Sequence, residues 1–224
     1  KYDKLIEDTR AQVERNIPRA TSDVLFRKML FATFPYANRL RLLALPLLLY
    51  QRSGLQKLVR ASGLLRLIPK QLSAMEHLLP RVPAALFRKL PAHIEPNAKA
   101  RLRVGMLAGC VQQVFFQHVN EATVRVLRAE GCEIFIPPWQ QYCGALMVHS
   151  FLEDDAANFA RRMIATFEAA NVDVIVINAA GCGSTMKEYG HLLRYDPAWA
   201  ARAVSFSAKC KDISEILCEL PPQS

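Results

Sequence analysis

Cys110, Cys143 and Cys182 are the residues whose types and positions in this sequence indicate chemistry. Each has a glycine beside it, and glycine permits tight turns and a close approach of the backbone to a bulky cofactor. Thiolate is a soft ligand that selects zinc or iron-sulfur clusters over hard cations. No pair of these cysteines has the C-x-x-C spacing that marks a metal site strongly, so their proximity has to come from the fold.

Strands and helices in alternation are predicted to bring the three cysteines together. Apolar runs predict strands over 102–108, 132–137 and 172–178, and amphipathic patterns predict helices over 118–130, 153–170 and 184–193. This order predicts an α/β fold, a small parallel sheet with flanking helices and right-handed crossovers. Each cysteine follows one strand, in the loop before the next helix, and parallel strands end at one edge of a sheet. Helix N-termini at that edge are expected to lower the thiol pKa values.

The other cysteines and a nearby histidine are interpreted as structural. Free cysteine is among the most often buried residue types, and this alternative applies to the three candidate ligands as well. Cys132 begins a predicted strand, and a predicted C-terminal helical stretch over 198–217 keeps Cys210 and Cys218 far from the strand ends. His149 follows the second loop and could bind a metal, although a lone histidine is more often a structural group.

The first hundred residues have a different character from the rest. Residues 1–100 hold 18 basic and 7 acidic side chains, whereas residues 101–224 hold 11 and 13. Leucines at helical spacing between prolines predict a basic all-helical segment over 1–98, followed by a cysteine-rich α/β module over 99–224. The helical segment is either a small bundle with solvated arginines or a cationic surface for an acidic partner or an anionic membrane face. Nucleic acid is not expected, because no reading motif accompanies the basic residues.

Several classes of protein are excluded or disfavoured by the sequence. No apolar run approaches the ~18 residues of a membrane-spanning helix. Six cysteines without disulfide-like spacing favour a reducing, cytoplasmic location. Hydrolase, zinc-protease and nucleotide-binding motifs do not occur in it. The first residue is Lys1 and no signal peptide follows, so we expect the chain to be a piece of a longer polypeptide.

Three strings carry a resemblance to a known family: AGCVQ (108–112), YCGALMVH (142–149) and NAAGCGSTMKEYGHLL (178–193). They resemble the cysteine-rich CCG module of the iron-sulfur subunit of glycolate oxidase, which also occurs in heterodisulfide reductases and lactate-utilisation proteins. Lys187 and Glu188 are similar to the K-E-Y triplet of that family. The family usually has a cysteine pair before Gly144, whereas this sequence has Tyr142 at the first position. The ferredoxin part and the second cysteine-rich module of such subunits are not in this sequence.

The resemblance implies a non-catalytic electron-transfer subunit of a glycolate or other 2-hydroxy-acid oxidase complex. It implies an iron-sulfur cluster, 4Fe-4S in type, bound by Cys110, Cys143 and Cys182 and incomplete if Tyr142 removes a ligand. It also implies a separate flavin-containing subunit that oxidises the substrate, and the subunit could lie at the inner face of the membrane. Two alternatives remain: a cluster-free scaffold that binds the flavin subunit, and a zinc-bound α/β domain.

Overall fold

The first part of the chain is helical, as predicted. The computed structural model describes residues 2–97 and 99–221. Its first helices are α1 (Tyr2–Asn16), α2 (Thr21–Thr33), α3 (Ala37–Arg52), α4 (Leu55–Ala61) and α5 (Lys70–His77), with a short 3-10 helix at Leu64–Arg66. Gly54 and Gly63 precede α4 and the 3-10 helix with φ of 81° and 75°, a conformation in which only glycine avoids strain. The boundary predicted at residue 98 falls on Ala98, which lies outside the described residues, and it stays a prediction.

A five-stranded sheet forms the centre of the second part. Its strands are β1 (His93–Ile94), β2 (Leu102–Met106), β3 (Cys132–Phe135), β4 (Val174–Ile177) and β5 (Cys210–Asp212), in the spatial order β1-β3-β2-β4-β5. The pairs β2–β3, β2–β4 and β4–β5 are parallel, which confirms the predicted α/β fold. The sheet is not wholly parallel, because β1 pairs antiparallel with β3 at one edge. Two residues are too few to give a periodic signal in the sequence.

Helices cover both faces of the sheet. They are α6 (Gln112–Phe115), α7 (Gln117–Ala129), α8 (Ala145–His149), α9 (Glu153–Ala169), α10 (Ala180–Lys187), α11 (Tyr189–Leu192), α12 (Ala200–Lys209) and α13 (Ile213–Glu219). Because side chains alternate along a strand, Ile175 and Ile177 pack with α8 to α12 on one face. Val174 and Val176 pack with α7 and α13 on the other. The sheet therefore has one apolar core on each face.

Two predicted helices differ from those in the structure. The stretch predicted as helical over 198–217 is interrupted by β5, which continues the sheet beside β4 with Ile175 opposite Cys210. Its helical pattern comes from α12 and α13 on either side. The helix predicted over 184–193 begins earlier, at Ala180, and is split into α10 and α11. Glycines at 181 and 183 obscured its start, since glycine is unfavourable inside a helix.

The helical segment packs directly on the α/β part. One buried apolar cluster contains Leu40 and Ala44 of α3, Val82 and Leu86 of the connection before β1, and Val114 of α6. In addition, a guanidinium N–H of Arg27 donates to the Ser150 carbonyl at 3.0 Å. Among the described residues, no helix has the length and apolarity needed to cross a bilayer.

Candidate cysteine site

The structure brings Cys110, Cys143 and Cys182 to the carboxyl edge of the sheet. Cys110 lies in the turn after β2, and Cys143 lies in the loop after β3, directly before α8. Cys182 is in the first turn of α10 after β4, and not in a loop as predicted. All three contact the same apolar cluster on one side of the sheet, in which Cys143 is buried and the other two are half-buried. Their role as ligands stays a prediction.

Left-handed glycines make two of these turns possible. Gly109 has φ of 66° directly before Cys110, and Gly144 has φ of 80° directly after Cys143. A Cβ at Gly144 would lie 3.4 Å from the Ala156 carbonyl oxygen of α9, so the backbone approaches that helix closely. Both positions therefore need glycine for conformation, and position 144 needs it for space as well.

The thiols interact with one another. Hydrogen bonding between Cys143 and Cys182 raises the pKa of the Cys143 thiol well above its usual value and lowers that of Cys182. Burial, and then the nearby Cys182, raises the pKa of Cys110 to about 11. The expected lowering of thiol pKa values by helix N-termini is thus wrong for Cys110 and Cys143, and the lowered pKa of Cys182 comes from its hydrogen bond with Cys143 instead. Burial dominates at Cys110, and the helices that follow Cys110 and Cys143 are only four and five residues long.

The spacing of the sulfur atoms bears on which metal the site suits. Within residues 2–97 and 99–221, the three sulfurs do not all lie within 4.8 Å of one another. A tetrahedral zinc ion holds two thiolates about 3.8 Å apart, because each Zn–S bond is ~2.3 Å long. An iron-sulfur cluster accepts wider spacing, since each thiolate binds a different iron. Two of the sulfurs, those of Cys143 and Cys182, are in hydrogen-bond contact, a spacing that a zinc ion also accepts, so zinc stays an alternative to a cluster.

Tyr142 stands directly before Cys143, at the position where the resemblance led us to expect a cysteine. Its side chain is buried and packs edge-on against Phe159, with ring centroids 5.3 Å apart. The Leu146 backbone N–H donates to its hydroxyl oxygen. Burial first, and then the three neighbouring thiols, raise the pKa of Tyr142, so the phenol stays neutral and is a poor ligand. Three thiols, those of Cys110, Cys143 and Cys182, therefore remain as the candidate donors at this edge.

Polar side chains that the sequence analysis did not single out hold the cysteine turns in place. Gln140 accepts from the Ala108 backbone N–H at 2.7 Å and donates to the Met106 carbonyl at 3.3 Å, which ties the β3 loop to the end of β2. Tyr189 of α11 is fully buried and donates to the Cys143 carbonyl at 2.7 Å. These bonds fix the backbone on both sides of the thiols.

A second set of amides links β2 and β4. Asn120 of α7 donates to the Ala108 carbonyl at 2.8 Å, and Asn178 donates to Asn120 and to Thr123, both at 2.9 Å. Gln112 donates to the Asn178 carbonyl at 3.3 Å. Asn120 and Thr123 are buried polar residues on the apolar face of a helix, and that mismatch is the sequence signal that could have revealed them.

The remaining residues considered from the sequence lie away from this edge or have other partners. Cys132 and Cys210 are buried in the sheet, and Cys218 and His149 are exposed. Lys187 forms an ion pair with Glu215, at 2.7 Å from Oε1, within this chain. One set of potential ligands within 4.8 Å is His93, Glu95 and Glu133 on the surface at β1, but Glu133 also pairs with Arg103 at 3.2 Å.

Comparison with protein families supports the resemblance seen in the sequence. The model "Glycolate oxidase iron-sulfur subunit, linker region" matches residues 22–79, and the model "Cysteine-rich domain" matches residues 104–187. The second range includes Cys110, Cys143 and Cys182, and the first covers α2 to α5. The linker model therefore matches the helical segment, and the cysteine-rich model matches the α/β part.

Individual relatives give the same result. The chain is 41% identical over 222 residues to "Probable glycolate oxidase iron-sulfur subunit" of Bacillus subtilis (strain 168), covering 98% of this chain and 50% of that protein. "Lactate utilization protein A" of Exiguobacterium sp. (strain ATCC BAA-1283 / AT1b) is 32% identical over 117 residues, 52% of this chain and 48% of that one. No solved structure matches. The chain spans about half the length of these relatives. The chain therefore contains the linker region of glycolate oxidase iron-sulfur subunits followed by a cysteine-rich domain.

Proposed function

We propose that this chain is part of an iron-sulfur subunit that transfers electrons in a glycolate or other 2-hydroxy-acid oxidase complex. The observation that carries the proposal is the meeting of Cys110, Cys143 and Cys182 at one edge of the sheet, after three separate strands. The name of the Bacillus subtilis relative supports an iron-sulfur role. A reducing cytoplasmic location suits free thiols of this kind.

The residues of the site fit three positions of a 4Fe-4S cluster. Cys110, Cys143 and Cys182 would bind one iron each, and the neutral Tyr142 leaves a fourth iron without a ligand from this chain. A cluster supplies a centre that accepts and releases single electrons, with a potential set by its hydrogen bonds and solvent exposure. The fourth ligand would come from a non-protein molecule or from another part of the full-length subunit.

The other residues of the site position the thiols and exclude water. Tyr189 and Gln140 hold the backbone next to Cys143 and at Ala108, as described above. Met147 and Met186 are buried in the same apolar cluster and limit solvent access from the sheet side. Low polarity around a cluster shifts its reduction potential, so these side chains would influence electron transfer without binding the cluster.

Anaerobic reconstitution with iron and sulfide tests this proposal. We expect iron and acid-labile sulfide to be retained, with a broad visible absorption band and a paramagnetic resonance signal after reduction. Cys182→Ser should abolish the signal, and Cys218→Ser, at an exposed position, should leave it unchanged. A colourless unchanged chain, or zinc in place of iron by elemental analysis, would contradict it.

A docking role for the helical segment is a second candidate, supported by its surface. Large apolar side chains are exposed along α3 to α5 and their connections: Leu42, Leu43, Leu49, Leu58, Leu67 and Leu78. Many exposed apolar side chains on a basic segment are typical of a protein interface or a membrane contact. Such a segment would bind the flavin-containing subunit, whether or not the cysteines hold a cluster.

Partner binding separates the two roles. Leu67 and Leu78 are 82% and 81% exposed, so the double change to glutamine should leave folding intact and weaken co-purification with the flavin-containing subunit. Leu217→Gln, on α13 and 36% exposed, is the control outside the helical segment. A chain with Cys182→Ser that still binds the subunit would show that docking does not need the cluster. Unchanged binding by the double variant would contradict the docking role.

A further inference from the structure

A cavity of about 460 Å³ lies between the helical segment and the carboxyl edge of the sheet. Its walls come from the start of α3, from the connection before β1, from α6 and α7, and from the loop after β3. Apolar and flat side chains line part of it: Pro35, Tyr36, Pro137, Pro138 and Phe159. This volume is that of a pocket for a small organic molecule.

A buried cation lines this cavity. Arg41 is only 3% exposed, yet its hydrogen-bond acceptors are neutral: the Leu86 carbonyl at 3.3 Å, Asn38 Oδ1 at 2.9 Å and Gln113 Oε1 at 3.0 Å. No carboxylate among the described residues forms an ion pair with it. A guanidinium has five N–H groups on three nitrogens, so one bond from each nitrogen leaves two N–H groups able to donate to a further acceptor. Buried charges and donors in proteins are normally paired, which makes this arrangement unusual.

The rest of the lining adds to the positive charge. Arg39, Arg88 and Lys89 also line the cavity, and Glu121 is the acidic residue among its lining side chains. Glu121 pairs with Arg88 at 3.3 Å, and Arg39 lies over the Tyr36 ring at 4.2 Å. Four cations against one carboxylate leave the cavity positive, and its low-dielectric walls strengthen the field inside.

We propose that this cavity binds a small organic anion, whose carboxylate or phosphate oxygens accept the two remaining N–H groups of Arg41. Planar guanidinium groups recognise these oxygens in a bidentate manner. The apolar side chains of the lining would contact the body of the molecule. The proposal does not depend on an iron-sulfur cluster and holds for the chain prepared without iron.

The cavity is also connected to the cysteine turns. Ala108, Asn120 and Gln140 line it, and these are the residues whose hydrogen bonds hold the end of β2 before Cys110. Gln113, the acceptor for Arg41, donates its backbone N–H to the Gly109 carbonyl at 3.2 Å. A ligand that occupies the cavity would therefore hold both ends of the first cysteine turn.

Calorimetric titration of the iron-free chain tests the proposal, with inorganic phosphate, glycolate, succinate and adenosine monophosphate as separate probes. We expect at least one organic probe to bind at millimolar concentration or tighter and to raise the melting temperature. Arg41→Gln should weaken that binding by roughly tenfold to a hundredfold, as for a hydrogen bond to a charged group. Lys57→Gln, which removes the same charge from α4 outside the cavity, should change it by less than about twofold.

Arg41 is buried, so a second variant guards against misfolding. Lys89 is exposed, and Lys89→Gln should fold normally and weaken binding by up to about fivefold, as for an exposed charge pair. The proposal is overturned if no organic probe binds, if phosphate alone binds, or if both cavity variants bind as tightly as the unchanged chain. Equal loss in Lys57→Gln would also overturn it, because binding would then follow net charge alone.

Discussion

Tyr189 and Cys143 are far apart in the chain, yet the tyrosine hydroxyl donates a hydrogen bond to the cysteine carbonyl at 2.7 Å. Tyr189 is fully buried, and its ring stacks on Phe206 with centroids 5.4 Å apart. The bond joins α11, which follows the third cysteine, to the turn that holds the second. The positions of Cys143 and Cys182 are therefore fixed relative to each other by a group that is not itself a candidate ligand.

Removal of this hydroxyl should weaken the fold and the site together. Tyr189→Phe keeps the stacking but leaves a buried carbonyl without a donor, which we expect to lower the free energy of unfolding by about 1–3 kcal/mol. Chemical denaturation measures this change, and iron retention after reconstitution should fall as well. Tyr195→Phe, at a side chain that is 84% exposed, should change neither quantity. Equal stability of the two variants would show that the bond contributes nothing.

A cysteine at position 142 should restore a fourth thiol. Tyr142→Cys removes a buried ring from its contact with Phe159, which should destabilise the iron-free chain by about 3 kcal/mol. After reconstitution, however, the same variant should retain more iron and sulfide per chain than the unchanged protein. Tyr142→Phe keeps the packing and adds no thiol, so its iron content should stay at the original level. Lower iron in Tyr142→Cys than in Tyr142→Phe would argue against a cluster at this edge.

The central strand β2 has no room for a side chain at Gly105. A Cβ there would lie 2.8 Å and 2.9 Å from two ring atoms of Phe167 and 3.0 Å from a methyl group of Val172. We expect Gly105→Ala to lower the free energy of unfolding by about 1–3 kcal/mol, because α9 would have to move away from the sheet. Gly181→Ala is the control, since a Cβ at that helical position meets no atom within 4 Å. It should be neutral or slightly stabilising in the iron-free chain.

The capping box of α13 should give a pH-dependent contribution to stability. Asp212 accepts from the Ser214 N–H at 2.9 Å, and hydrogen bonds from Ser214 lower the pKa of this carboxyl. A lowered pKa in the folded state means that the contribution is complete above the unfolded value of ~3.9 and is lost as the pH falls through the folded value. Asp212→Ala should therefore cost about 1 kcal/mol at neutral pH and less in acid.

Asn is the matched control for this cap. Asp212→Asn keeps an oxygen acceptor but cannot titrate, so its stability relative to Asp212→Ala should stay constant between neutral pH and acid. Thermal melts of the three proteins at several pH values make the comparison. A gap between Asp212 and Ala that does not shrink in acid would contradict the assigned role of the carboxyl.

The sequence predicts the centre of the fold well because its elements carry strong periodic patterns. Runs such as VIVI in β4 are apolar throughout and buried on both faces, which is typical of strands in a covered parallel sheet. The positions of the three cysteines after such strands then follow from topology. In contrast, β1 and β5 are two and three residues long, and their pairing depends on neighbours that lie far away in the chain.

The polar contacts around the site could not be predicted for a similar reason. Asn120 belongs to an otherwise apolar helix face, and its partner Asn178 is more than fifty residues later in the chain. In the sequence, Arg41 does not differ from the other arginines of a basic segment. Its burial and its hydrogen bond to Gln113 depend on the packing of α3 against the α/β part. Periodicity reports which face is apolar, but it does not report which polar group meets which partner.

The distribution of the thiols over three crossovers decides when the site can first exist during synthesis. Cys110 follows the central strand, Cys143 follows a neighbour on one side, and Cys182 follows the neighbour on the other. A nascent chain that ends before Cys182 holds at most two of the thiols, and β4 must have paired before the third takes its place. If the three thiols bind a cluster, its loading would therefore have to follow the pairing of β4 with β2.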